Sequence, residues 1–365
     1  MDTKGVFYVL MTLFTPKNAT ETHPSPLARL IKVGGVIAAA SLLLSACSAT
    51  GDAAEPAADG LTHVTFALSY LPDTSLNGLT YAQENGLFAD AGLDVEILPW
   101  GSSTPESLVA AGEADFGFAT DIRTALLAMA SGAELTSLMA VYQHTPYVLT
   151  TLEDAGYTRP ADLAGKLYGG FGSPMELAVV NDMIAADGGI ADAESVTLSV
   201  AAFDALASDR VDTVLSFPGD LYALEQNGTP VSTWESTDFG VPEGYASLVI
   251  SNNDFIKKSP DVVSGFVEAF QAGYIAALAD PEAANDTVKA AYPDDLDPAV
   301  VQYVSDIQTK SLYVSADGIV GSQDADIWQQ NADWLIDEGI LAGDDGSPLT
   351  EFDTSALFTN DYLVK

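Results

Sequence analysis

Between Tyr168 and Glu176 the chain reads Tyr-Gly-Gly-Phe-Gly-Ser-Pro-Met-Glu, a run in which most residue types can serve a small ligand. Glycines such as Gly170 and Gly172 let backbone approach a bound molecule and leave N–H groups to donate. Phe171 can stack on a planar ring or fill a core, and the run as a whole can equally be a plain strand-to-helix turn. Glu176 has two uses. Ser173-Pro174-Met175-Glu176 has the order of a helix capping box, in which Glu176 bonds back to the Ser173 backbone. The same carboxylate can accept two parallel charge-assisted hydrogen bonds from adjacent N–H donors. One oxygen for each role leaves room for both.

Three other segments join a strand to a helix and carry chemistry of similar kind. They are Tyr70-Leu71-Pro72-Asp73-Thr74-Ser75-Leu76-Asn77, Trp100-Gly101-Ser102-Ser103-Thr104 and Thr120-Asp121. Trp100 is a stacking platform or a surface-packed cap residue. Ser102 and its neighbours can hold a polar group at a helix start. Asp121 is a helix cap or a ligand acceptor. Tyr142, Phe217, Tyr222 and Tyr245 are weaker candidates, with core or hinge roles open to them. One cysteine and three histidines leave no basis for a multi-cysteine or zinc site, so no metal and no cofactor are expected.

The elements that must position these residues alternate. Strands are expected at Val64–Tyr70, Leu93–Leu98, Asp115–Ala119 and Glu134–Tyr142, with helices at Gly78–Asn85, Pro105–Glu113 and Ile122–Ser131. A second unit begins near Arg159, with strands at Lys166–Gly170, Ser195–Ser199 and Asp212–Phe217 and helices from Pro174 and Phe203. A strand near Tyr245–Ser251 precedes helices at Pro260–Ala279, Pro281–Ala291, Pro298–Ser305 and Asp324–Glu338. Strand–helix alternation of this kind argues for α/β sheets with parallel strands, whose ligands bind beyond the carboxyl ends. Two crossings, near Gln143–Leu149 and Val241–Ser247, would join two lobes around a cleft.

The chain has 365 residues, 48% of them hydrophobic and 18% charged, with 13 basic against 52 acidic residues and a net charge of −39. Extended disorder and nucleic-acid binding through a basic face are both excluded by that balance. Val33–Ala46 is an apolar run too short to span a bilayer and of the right length for an export signal, preceded by Arg29 and Lys32. It ends Leu44-Ser45-Ala46-Cys47, which resembles the lipobox of bacterial lipoproteins. That resemblance implies a lipid on Cys47, anchorage to the membrane and an extracytoplasmic location. A small, polar, Pro/Gly-bearing stretch follows Cys47, as a tether requires. Cleavage before Cys47 would remove four basic and two acidic residues and leave net −41. The expected organisation is a signal peptide over 1–46, a flexible tether over 47–62, a first lobe from 63–147 with 246–365, and a second lobe over 148–245.

The mature chain resembles the solute-binding proteins of ATP-driven importers, in the branch of binders of thiamine pyrimidine precursors, nitrate, alkanesulfonates and riboflavin. The residues that carry this are Leu79–Val95, Leu108–Ala119, Asp162–Glu176 and Ser247–Phe255 with Ser259–Phe270. The resemblance implies a type II periplasmic-binding-protein fold with two α/β lobes, a monomer that closes on a small solute and docks on membrane permease subunits. It implies no chemistry. The Tyr168–Glu176 run looks like the pyrimidine-precursor members, where it faces the cleft and Glu176 would grip an aminopyrimidine. Those members carry an Asn-His-Thr run where this chain has Ser75-Leu76-Asn77. A eukaryotic relative makes the thiamine pyrimidine itself with a cysteine-rich iron site and a sacrificial histidine. With only His63 and His144 after the leader, and its sole cysteine at the anchor, this chain is not expected to be an enzyme. Riboflavin, an alkanesulfonate such as taurine, or nitrate are the alternative solutes, and a sensor or adhesion lipoprotein is the alternative role.

Overall fold

The computed structural model describes residues 60–365. The signal run, Cys47 and most of the 47–62 tether lie outside the described residues.

The first stretch builds β1 (Thr62–Ala67), α1 (Asn77–Glu84), α2 (Leu87–Asp90), β2 (Leu93–Leu98), α3 (Pro105–Ala111), β3 (Phe116–Asp121), α4 (Ile122–Ala130) and β4 (Leu135–Tyr142). Helices α3 and α4 begin at residues that satisfy their free N–H groups. The Thr104 hydroxyl takes the Ser107 N–H, and the Asp121 carboxylate takes the Thr124 N–H. Gly112 ends α3 with φ at 71°, a left-handed conformation that only glycine adopts at little cost.

The middle of the chain forms β5 (Val148–Leu152), β6 (Leu167–Gly170), α5 (Pro174–Ala186), β7 (Glu194–Thr197), α6 (Ala202–Ala207), β8 (Val214–Ser216), α7 (Pro218–Gln226) and β9 (Val231–Glu235). The chain then returns through β10 (Ala246–Asn252) and ends in α8 (Asn253–Lys258), α9 (Pro260–Ala279), α10 (Pro281–Ala291), α11 (Pro298–Ile307) and α12 (Ala325–Asp337), with a π-helical turn at Gln308–Leu312.

One sheet runs in the order β2-β1-β3-β10-β4. Strands β1, β2 and β3 are parallel, and β10 lies antiparallel between β3 and β4. This departs from the all-parallel expectation. The physical reason is the return crossing: Ala246 enters opposite both Asp121 and Tyr142, so β10 starts where its neighbours end. The middle stretch forms a two-stranded parallel pair, β6-β7, and an antiparallel sheet in the order β8-β5-β9. The sequence reading omitted β5, β9 and α7. Val231–Glu235 is half exposed and lacks apolar alternation, so it carries no strand signal of its own.

Both faces of the five-stranded sheet are covered, as residue alternation requires. Phe66, Phe116 and Phe118 point to one face and meet Phe266 and Phe270 of α9, with the Phe116 and Phe266 rings stacked at 3.8 Å between centroids. Ala119, Leu248 and Ile250 point to the other face and pack with Ile122, Leu126, Trp328 and Leu335. Each buried Phe, Leu or Ile among these contributes about 1.5–3 kcal/mol. Helix α9 is apolar and long enough to cross a membrane by composition alone, but its Val263, Phe266, Val267 and Phe270 are spent on this core. A separate core of Leu149, Leu163, Val179, Val180, Met183 and Ile184 supports the middle stretch.

Candidate functional site

The carboxyl ends of β1, β2, β3 and β4 lie at one edge of the large sheet, because all four run the same way. Tyr70, Trp100 and Thr120 therefore emerge from that edge. From the middle stretch, β6 runs into Gly170–Gly172 and α5, and β8 runs into Phe217 and α7. Phe171 from the second group reaches the first. Its ring centroid is 6.3 Å from that of Tyr70, and Tyr70 is 5.5 Å from Trp100. These rings come from three loops of distant sequence and from both sheet systems. Trp100 and Phe171 remain 42% and 43% exposed, a large apolar area left to water beside polar groups.

Glu176 lies next to this ring cluster and performs the cap. Its Oε2 accepts from the backbone N–H groups of Phe171, Gly172 and Ser173 at 3.1, 3.1 and 3.2 Å. Oε1 has one long contact, 3.4 Å from the Phe171 N–H. Gly172 makes this possible with φ at +95°, a conformation that turns successive N–H groups toward one point. Three donors should lower the carboxyl's pKa. Burial outweighs them and pushes it up, and the nearby Asp121 charge adds to the rise.

Asp73 and Asp220 extend the acidic character. Water reaches the Asp73 side chain, yet protein crowds it on enough sides that desolvation raises its carboxyl, against the lowering effect of the Ser75 N–H 2.7 Å away. Asp220 accepts from the Phe217 N–H at 3.0 Å. Burial pushes it up to about 6, with the Asp73 charge contributing. Burial likewise raises the Tyr70 hydroxyl, with Asp220 and Asp73 adding to it. Glu106 is a further buried carboxyl raised by desolvation, with Asp121 adding to it.

Other sequence candidates separate into exposed and spent residues. Ser102 and Thr120 are exposed, and Phe217 is partly so, 5.7 Å from the Tyr147 ring. Asp121 is 6% exposed, and its Oδ1 takes both the N–H and the hydroxyl of Thr124 at 2.8 Å. Asn77, expected at the cleft edge, is 0% exposed. Its Oδ1 accepts from the Tyr313 hydroxyl and the Gly78 N–H, and its amide donates to Gln308. Tyr142 is buried, accepts from Gln308 at 2.7 Å and stacks on Tyr313. Tyr168 is buried against Gly170, where a Cβ would strike its ring. Tyr222 packs on Tyr303 at 5.0 Å, and Tyr245 accepts from the Asp324 N–H.

Sequence reasoning passed over Asp220 and Arg123. The Phe-Pro-Gly-Asp run at 217–220 is a helix-start signal that could have found the first. Nothing local marks the second. Arg123 is 1% exposed and donates to the Tyr147 hydroxyl at 2.8 Å and to the Pro242 carbonyl at 2.6 Å. Tyr147 and Pro242 belong to the two crossings between the sheet systems.

The arrangement offers ring faces, several carboxylates that resist ionisation, and backbone N–H groups. Such a set suits a flat solute bearing N–H donors or positive charge. Among known proteins, the formylaminopyrimidine-binding protein of Halalkalibacterium halodurans is 27% identical over 331 residues, covering 86% of this chain and 97% of that one. The riboflavin-binding protein RibY of Chloroflexus aurantiacus is 26% identical over 354 residues, covering 88% and 95%. Among solved structures, the CA3427 gene product of Candida albicans, described as having the generic periplasmic binding protein structural fold, matches with a TM-score of 0.61. It is 16% identical and covers 84% of this chain and 98% of its own. At that identity the likeness is one of fold. A family model described as NMT1/THI5 like matches residues 73–284, and the chain belongs to that family.

Proposed function

We propose that this chain is the solute-binding component of an ATP-driven importer and that its solute is a thiamine pyrimidine precursor, an aminopyrimidine. The observation that carries the reading is the Tyr70–Trp100–Phe171 ring cluster beside Glu176, whose Oε1 keeps only one long backbone contact. The solute's ring would lie among these rings. Its exocyclic amine and adjacent ring nitrogen, protonated, would form a fork against the carboxylate. The alignment at 27% identity along 97% of a formylaminopyrimidine-binding protein supports the same solute class. The protein performs no reaction in this reading; closure is driven by the solute's higher affinity for the closed state. Lobes would comprise 63–147 with 246–365 and 148–245. Cys47 would carry the lipid that holds the protein on the outer face of the membrane, where it would meet permease subunits as a monomer.

Riboflavin is the competing solute, since flat rings also suit a flavin and a riboflavin-binding relative aligns along most of the chain. A thermal-shift panel separates the two. Wild type is expected to melt higher with 4-amino-5-hydroxymethyl-2-methylpyrimidine or its formylamino analogue, by mass action. Taurine, nitrate and riboflavin should leave it unmoved. Glu176→Gln keeps the shape and an acceptor oxygen for the cap, and it removes a charge that burial disfavours, so the two effects offset and the unliganded melting point should stay close to wild type. The pyrimidine shift should vanish. A shift with riboflavin alone, or a pyrimidine shift untouched in Glu176→Gln, would overturn the assignment.

A further inference from the structure

Trp334 occupies a position that solute contact does not require. It lies on α12, and it packs against the core of the large sheet as well as the core of the middle stretch. Its ring also lies 5.1 Å from the guanidinium carbon of Arg123. Arg123 is the group that donates to Tyr147 in one crossing and to the Pro242 carbonyl in the other. The indole Nε1–H of Trp334 donates to the Asp182 carboxylate at 2.6 Å. Asp182 is on α5, the helix whose first turn holds Glu176.

These contacts form one continuous path. Two crossings meet at a buried guanidinium, the guanidinium lies by the indole, and the indole is tied to the helix that presents Glu176. Hydrogen bonds to a charged acceptor at this distance are among the stronger ones, and a cation by an indole adds attraction without fixing a direction. A single side chain thus links the group that ties the two crossings to the helix that carries Glu176.

We propose that Trp334, acting with Arg123 and Asp182, is a positioning unit of the hinge: it sets the angle of α5, and so the place of Glu176, relative to the large sheet. The consequence for aminopyrimidine affinity rests on the proposed function; the consequence for geometry does not.

The test measures distance first. Cys47 is the chain's sole cysteine, so Cys47→Ser clears the background for spin labels at Asp90→Cys and Ile190→Cys, both exposed positions on opposite sheet systems. Trp334→Phe keeps an aromatic ring, though a smaller one, and removes the N–H. It should broaden or displace the label-to-label distance distribution. Asp182→Ala should do the same, and the Trp334→Phe/Asp182→Ala pair should change it by less than the sum of the two, because the indole bond is common to both; Asp182 also faces Glu338, so Glu338→Gln serves as the control for that contact. Asp182→Asn still offers an acceptor oxygen and should return the wild-type distribution. A Trp334→Phe distribution identical to wild type overturns the proposal. So does Asp182→Asn behaving like Asp182→Ala, which would make charge and not the indole bond the operative contact. Titration of the same variants with the hydroxymethyl aminopyrimidine should show a Kd raised roughly three- to thirtyfold in Trp334→Phe. A change in unfolding midpoint with distances and Kd unmoved would mark the bond as merely structural.

Discussion

Asp220 illustrates how a residue's charge state becomes a property of the whole protein. It stands in the first turn of α7, where the helix dipole and the Phe217 N–H both favour a carboxylate. Burial opposes them and wins, lifting the group to about 6, and Asp73 raises it further in the same direction. A carboxyl whose folded pKa exceeds its unfolded value binds more protons folded than unfolded. Its contribution to stability is greatest in acid and is lost as pH rises from about 4 towards 6. At pH 7 the charged form is a net cost. Asp220→Asn keeps an acceptor oxygen for the Phe217 N–H and removes the charge. It should stabilise the unliganded protein at pH 7 by about 1–3 kcal/mol and have little effect near pH 4. Urea midpoints at the two pH values measure this directly. Equal effects at both would mean the environment of Asp220 does not resist ionisation.

At the scale of elements, the loop that carries Tyr70 and Asp73 is held by a helix crossing that depends on two glycines. Helices α1 and α9 meet at Gly78 and Gly273. A Cβ on Gly273 would strike the Gly78 carbonyl oxygen, and one on Gly78 would strike the Tyr274 ring. The close approach lets the Tyr274 hydroxyl reach the Ser75 carbonyl at 2.6 Å, which anchors the Asp73–Asn77 segment. Gly273→Ala would gain helix propensity worth about 1 kcal/mol. Backbone has no way to yield as a side chain can, so the helices must part, and a net loss of about 1–3 kcal/mol is expected. A chemical-denaturation difference within about 0.5 kcal/mol of wild type would refute the crossing's tightness. The same scale shows what was legible in the sequence. Helix α9 was readable end to end because Pro260 starts it and its apolar surface is continuous. The 168–176 run was readable as a turn into a helix because caps and glycines act locally. The burial of Asn77 was not legible because its partners, Gln308 and Tyr313, lie more than 200 residues away. The direction of β10 was hidden for the same kind of reason. It follows from where the second crossing re-enters the large sheet, and no local pattern encodes that.

For the whole molecule the governing quantity is charge: 52 acidic against 13 basic residues. Among the described residues, ion pairs engage only seven carboxylates, three of them with histidines. Most of these pairs are exposed and stabilise little. The remaining carboxylates repel one another across a surface whose charges are close together, which favours expansion of the chain. Added salt shortens the range of that repulsion from about 10 Å at 0.1 M to about 3 Å at 1 M. The melting temperature should therefore rise with sodium chloride over that range at pH 7, at roughly 2–4 °C for each kcal/mol of repulsion relieved. Salt also strengthens apolar burial in any protein, so the rise alone would not identify its cause. Acidity does. Near pH 4 about half of ordinary carboxyls are protonated, and the repulsion available for screening is much smaller. The salt-induced rise should shrink in proportion. An equal rise at pH 4 and pH 7 would show that repulsion among the carboxylates does not limit this fold.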